Sequence, residues 1–123
     1  MKPLQISVSF FSTIVVTTYY TQNSYYHHLY LLLVIFGILN HGQDRNKDDS
    51  RNIIHNIDKL LAYTATLSIL YDSYTNPFMC IGIFNICMFY ILEYIYPRYD
   101  ELFHMIIHFH TVFSMNFYFI YIL

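Results

Sequence analysis

Tryptophan is absent from this chain of 123 residues, and glycine, proline and cysteine are scarce, at three, three and two. So little glycine and proline excludes a collagen-like or low-complexity chain. Gly37, Gly42 and Gly82 are the only glycines, and they form no phosphate-cradling loop. Cys80 and Cys87 share one apolar run. On a helix they would sit about 10 Å apart along the axis, which excludes a bond between them. Both are expected to act as small buried hydrophobes. Charge is the other shortage. Charged residues make up 11% of the chain, against about 25% in an ordinary soluble domain. A net charge of -2 offers no basic footprint for nucleic acid. A hydrophobic content of 56% excludes a disordered chain.

What the chain does have is apolar length. Five runs stand out, over residues 4–20, 25–40, 53–71, 77–96 and 102–123. A helix needs about 20 mostly apolar residues to cross a bilayer, with a range of about 17 to 25. The expected fold is therefore all-α, an integral membrane bundle of four to five transmembrane helices in one domain, 1–123. The first run could also be a strand, but a strand among long apolar runs would leave unpaired edges in lipid. Lys2 before an apolar stretch also suits a signal peptide, but no small-x-small site follows, which favours an anchor.

The separators are short and polar, and the longest is the charged loop 41–52. Threading five crossings puts Lys2, Arg45, Lys47, Arg51, Lys59 and Arg98 on one side. The positive-inside rule makes that side cytoplasmic, with the N-terminus and loop 41–52. Tyr25, Tyr26, Tyr74, Tyr96 and Tyr99 then fall near interfaces, where an amphipathic ring is favoured.

The same threading gathers four polar side chains at one depth near the cytoplasmic face: His41, Asp58, His104 and His108. His104 and His108 are four apart and share a helix face. That face continues through Thr111, Ser114 and Tyr118, while His110 points elsewhere. Asp58, Ala62, Ala65, Ser68 and Asp72 form a matching stripe of small and polar residues, which suits close helix packing. Three neutral imidazoles suit zinc and leave a position for water, whose pKa the metal lowers to about 7. Asp58 could take the water's proton or orient a histidine through its second nitrogen. His-x3-His alone arises readily by chance in a chain with seven histidines. His41 and His104 cost little near an interface, and Asp58 could simply favour a helix N-terminus. His55 could replace His41 as a ligand, and Glu93 could add a carboxylate. His27 and His28 belong to the opposite side.

The order His41, Asp58, then His104-Met105-Ile106-Ile107-His108 resembles the transmembrane metal-dependent hydrolase superfamily. That group contains the alkaline ceramidases, the progestin and adiponectin receptors and the hemolysin III-like proteins. The resemblance implies zinc on His41, His104 and His108, with Asp58 beside the water. The family carries Ser where this chain has Gly37, and it has seven helices. Gly37→Ser is accordingly expected to keep zinc and raise activity. The Asn40-His41-Gly42 step and the Asp58 spacing are also similar to short membrane proteins of large DNA viruses.

Two functions follow as expectations. One is a zinc-dependent hydrolase of a lipid amide or ester, with the bilayer and a lipid substrate as partners and no nucleic acid. The alternative is a non-enzymatic membrane interaction protein without a metal site. Bis-histidine haem fits poorly, because His104 and His108 on one helix face cannot reach opposite faces of the ring.

Overall fold

The computed structural model describes residues 1–43 and 52–122, and every regular element among them is helical. The helices are α1 (Pro3–Ser9), α2 (Ser12–Tyr20), α3 (Ser24–His41), α4 (Ile53–Ser73), α5 (Pro77–Ile95) and α6 (Asp100–Phe117). A 3₁₀ turn, Pro97–Tyr99, joins α5 to α6, and a π-helical turn, Tyr118–Ile122, extends α6. Most of the charged loop, residues 44–51, lies outside the described residues, including the Asp44 to Asp49 acids.

Local chemistry sets the boundaries. Asn52 and Asn76 cap α4 and α5, accepting hydrogen bonds from the backbone N–H groups of His55 (3.2 Å) and Met79 (3.1 Å). Pro3 and Pro77 open their helices where a missing N–H costs nothing. Helix α2 ends in a Schellman motif: Asn23 N–H bonds Thr18 O at 2.9 Å and Gln22 N–H bonds Tyr19 O at 3.3 Å. Gln22 takes the left-handed conformation that motif requires, with φ 59°.

The run 4–20 is not one continuous helix. It breaks at Phe10 and Phe11, where the backbone switches to bonds spanning three residues, such as Phe11 N to Val8 O (3.0 Å) and Ile14 N to Phe11 O (3.0 Å). The hydroxyls of Ser7, Ser9 and Thr13 each bond the carbonyl three residues back, at 3.0, 2.5 and 2.7 Å. Such side-chain bonds compete with the α-helical ladder and bend it. The break turns the Phe11 ring inward, edge-on to Tyr30 and His108.

The helices close into a ring. The α1–α2 segment packs against α3 and α6, α3 against α4, α4 against α5, and α5 against α6. One end of the ring is tied by Lys2 Nζ, which donates to Gly42 O and Gln43 O at 3.3 Å each, and by Gln5 Nε2, which donates to Ile38 O at 3.1 Å. The opposite end is tied by the Tyr26 hydroxyl donating to Asp72 and by Tyr25 Oη on Ser68 Oγ at 2.7 Å. Ile14, Ile69, Met79 and Val8 fill the interior, while Phe84, Ile81, Leu67 and Phe113 face outward. Cys80 is half-buried but Cys87 is exposed, so burial of both thiols is not borne out. Cys87 falls on the outward apolar face of α5.

Among the described residues, two helical stretches are long and apolar enough to cross a membrane, Pro77–Ile95 and Pro97–Ile122. Only 17% and 33% of their most apolar windows are buried inside the protein, so most of this apolar surface points outward. Helix α3 has the length but carries Tyr25, Tyr26, His27, His28 and His41 near its ends. Helix α4 carries His55, Asp58, Lys59 and Asp72. The α1–α2 segment is divided into helices of 7 and 9 residues.

Candidate metal centre

Three of the four expected site residues meet directly. His41 closes α3, and His104 and His108 lie in the first three turns of α6. Each offers one ligand nitrogen, and these nitrogens lie within 4.8 Å of one another. The ring centroids are 4.5 Å apart for His104 and His108, and 5.1 and 5.2 Å from His41 to each. Tetrahedral zinc with bonds of 2.0–2.1 Å holds its ligands about 3.3 Å apart, a contraction that side-chain rotation can supply. This buried cluster could hold a metal ion. His41 and His108 are buried and His104 is half-buried.

The convergence follows from the ring. Helix α3 ends and α6 begins at the same end of the bundle, and the 3₁₀ turn at Pro97–Tyr99 starts α6 there. The i, i+4 spacing then stacks His104 and His108 on the inward face. Their face continues inward as expected: Ser114 and Tyr118 are buried, and Thr111 lines the interior cavity. His110 lies off this face, 3.1 Å from Ser114 Oγ through Nδ1.

Asp58 lines the same cavity as the three histidines. Its Oδ2 accepts from Asn40 Nδ2 at 2.9 Å, one residue before His41. Its Oδ1 lies 3.6 Å from where a Cβ on Gly37 would stand. Position 37 therefore faces Asp58. That space is not open, however, because the same Cβ would come within 2.7 Å of Val8 Cγ2. A serine here cannot simply be added to the site.

Glu93 and Ser7 touch the outer nitrogens of His104 and His108. Glu93 Oε1 sits 2.7 Å from His104 Nδ1, across the α5–α6 turn. Ser7 Oγ sits 2.7 Å from His108 Nδ1 and is fully buried. Glu93 was legible as a lone carboxylate in an apolar run. Ser7 carried no signal, since one serine in an apolar segment is unremarkable and its partner lies 101 positions away. His55 lines the cavity but stays out of the cluster. His27 is at the opposite end, bonded through Nδ1 to Val15 O at 2.9 Å, with His28 beside it.

The cluster opens onto a cavity of about 550 Å³. Away from the histidines its walls include Ala62, Ile69, Ile83, Ile86 and Met115 together with Thr66 and Thr111. Tyr63 of α4 and Tyr94 of α5 line it and are both exposed, so it reaches the outer surface along the α4–α5 seam. No family model matches the chain, and neither a curated protein nor a solved structure matches it.

Proposed function

We propose that the chain is a multi-pass membrane protein that binds zinc through His41, His104 and His108 and hydrolyses a lipid amide or ester. The observation that carries this reading is the meeting of three imidazoles from two helices, in a cavity walled in part by Ala62, Ile69, Ile83, Ile86 and Met115. Three neutral nitrogen donors suit zinc and leave a position for water. When bound, zinc supplies Lewis acidity, lowering the pKa of its water to about 7 and polarising a carbonyl. Asp58 faces the same cavity and would serve as general base there. Asn40 holds the Asp58 carboxylate by its 2.9 Å bond. Ala62, Ile69 and Ile83 exclude water from the far part of the cavity and accommodate an acyl chain. The seam between Tyr63 and Tyr94 admits that chain sideways from the bilayer.

Five crossings are part of the same reading. The outward apolar faces of α5 and α6 support a bilayer around them. In this arrangement the centre lies at the cytoplasmic side with the N-terminus, Gly42 and Gln43. Cysteine labelling at Gln43 and at a C-terminal tag, in a Cys80→Ser, Cys87→Ser background, should report opposite sides. Labelling of both from one side removes a crossing, and the α1–α2 segment is the one to go.

Metal analysis of detergent-purified protein tests the centre. The expected result is one zinc per chain, lost in His104→Ala. A wild-type chain that holds no zinc leaves the non-enzymatic membrane interaction protein as the reading. Hydrolysis is then tested with long-chain N-acyl amides and esters in mixed micelles. Zinc-loaded protein that cleaves neither class overturns the hydrolase.

A further inference from the structure

The two outer nitrogens of His104 and His108 are held by unlike groups from opposite sides of the ring of helices. On one side, Glu93 Oε1 lies 2.7 Å from His104 Nδ1. An ionised carboxylate only accepts hydrogen bonds, so the proton of that pair sits on Nδ1. On the other side, Ser7 Oγ already donates to Leu4 O at 3.0 Å. A hydroxyl has one proton to give, so its 2.7 Å contact with His108 Nδ1 is one in which it accepts. His108 therefore also carries its proton on Nδ1. Neutral imidazole has one N–H and one lone pair, so in both rings the lone pair is on Nε2.

We infer that Glu93 and Ser7 are positioning residues, which together fix His104 and His108 as Nδ1–H tautomers and present both Nε2 atoms to the metal. The inference rests on the proposed metal centre for its purpose, though not for its geometry. The two residues act differently. Glu93 would add a negative charge close to a dication. Ser7 adds orientation without charge. Its backbone belongs to α1, so the first helix of the chain sets the ring angle of a ligand on the last. A ligand held through its second nitrogen loses less freedom on binding metal, and removing such a partner typically weakens binding 10–100-fold.

The experiment has two readouts. The first is long-range ¹H–¹⁵N NMR of the histidine rings in metal-free, detergent-purified protein. His104 and His108 should both appear as Nδ1–H tautomers. Glu93→Ala should release the preference at His104 alone, and Ser7→Ala at His108 alone. The second is zinc affinity by competition with a chromophoric chelator. Each alanine variant should bind about 10–100-fold more weakly at unchanged stoichiometry. Glu93→Gln keeps an acceptor oxygen and loses the charge, so it should hold the tautomer and lose less affinity than Glu93→Ala. It also covers the case in which the alanine variant folds poorly. Nε2–H tautomers in the wild-type protein, or full zinc affinity in folded alanine variants, overturn the inference while leaving the metal centre standing. A wild-type chain with both Nδ1–H tautomers and no zinc affinity does the reverse: the metal centre falls and the positioning stands.

Discussion

The two ends of the helix ring arrange their polar side chains in opposite ways. At the end away from the histidine cluster, polar side chains pair off. Thr17 Oγ1 donates to Asn116 Oδ1 at 2.6 Å, and Asn116 Nδ2 donates to Thr13 Oγ1 at 2.9 Å. The Tyr26 hydroxyl donates to Asp72, and Tyr25 meets Ser68 at 2.7 Å. These contacts close on themselves and hold helices together. At the other end, Glu93 and Ser7 meet the outer edges of His104 and His108, and Asn40 meets Asp58. One nitrogen each of His41, His104 and His108 converges within 4.8 Å, an arrangement that could hold a metal ion. Polarity inside an apolar bundle is therefore informative less by its amount than by whether it closes in pairs or converges on one point.

The sharpest way to break this contrast is to remove a converging ring. His108→Ala should abolish zinc binding, read as metal stoichiometry falling from one to zero, whereas Tyr26→Phe at the far end should leave it at one. Next in size, Asp58→Asn should retain zinc and lose about 10²- to 10⁴-fold in hydrolysis rate, the span of a general base. Loss of zinc in that variant would make Asp58 a structural partner of Asn40 instead. The third test concerns the space between the ends of α1 and α3. Gly37→Ser should destabilise the protein by about 1–3 kcal/mol through overpacking on Val8, measured by thermal unfolding in detergent. Combining it with Val8→Ala should recover part of that loss. The smallest effect belongs to the far end itself. Tyr26→Phe should cost about 0.5–1.5 kcal/mol, the net worth of one hydrogen bond, with no change in metal content.

Much of the helical plan was legible because apolar runs and polar separators are local features. The starts of α4 and α5 could be read from Asn52 and from Asn76-Pro77. The break at Phe10 and Phe11 could not, because composition does not say which hydroxyls will turn back on their own carbonyls. The meeting of His41, His104 and His108 was legible through depth: helices running in alternating directions put all three at one level. Their orienting partners were not. Glu93 lies 11 positions before His104, beyond a turn whose angle the sequence does not specify. That Glu93 and Ser7 touch the Nδ1 atoms of His104 and His108 depends on which helix is the neighbour. The obstacle at Gly37 is of the same kind, because Val8 reaches it from another helix.

The ring is closed by its first and last members, α1 against α6. This has a consequence for the order of events during synthesis. Ser7 and His41 leave the ribosome well before His104 and His108. Until α6 docks, α3 offers a single imidazole at this depth and Ser7 has no ring to hold. Any metal held by these three histidines is therefore taken up only after α6 has packed beside α1.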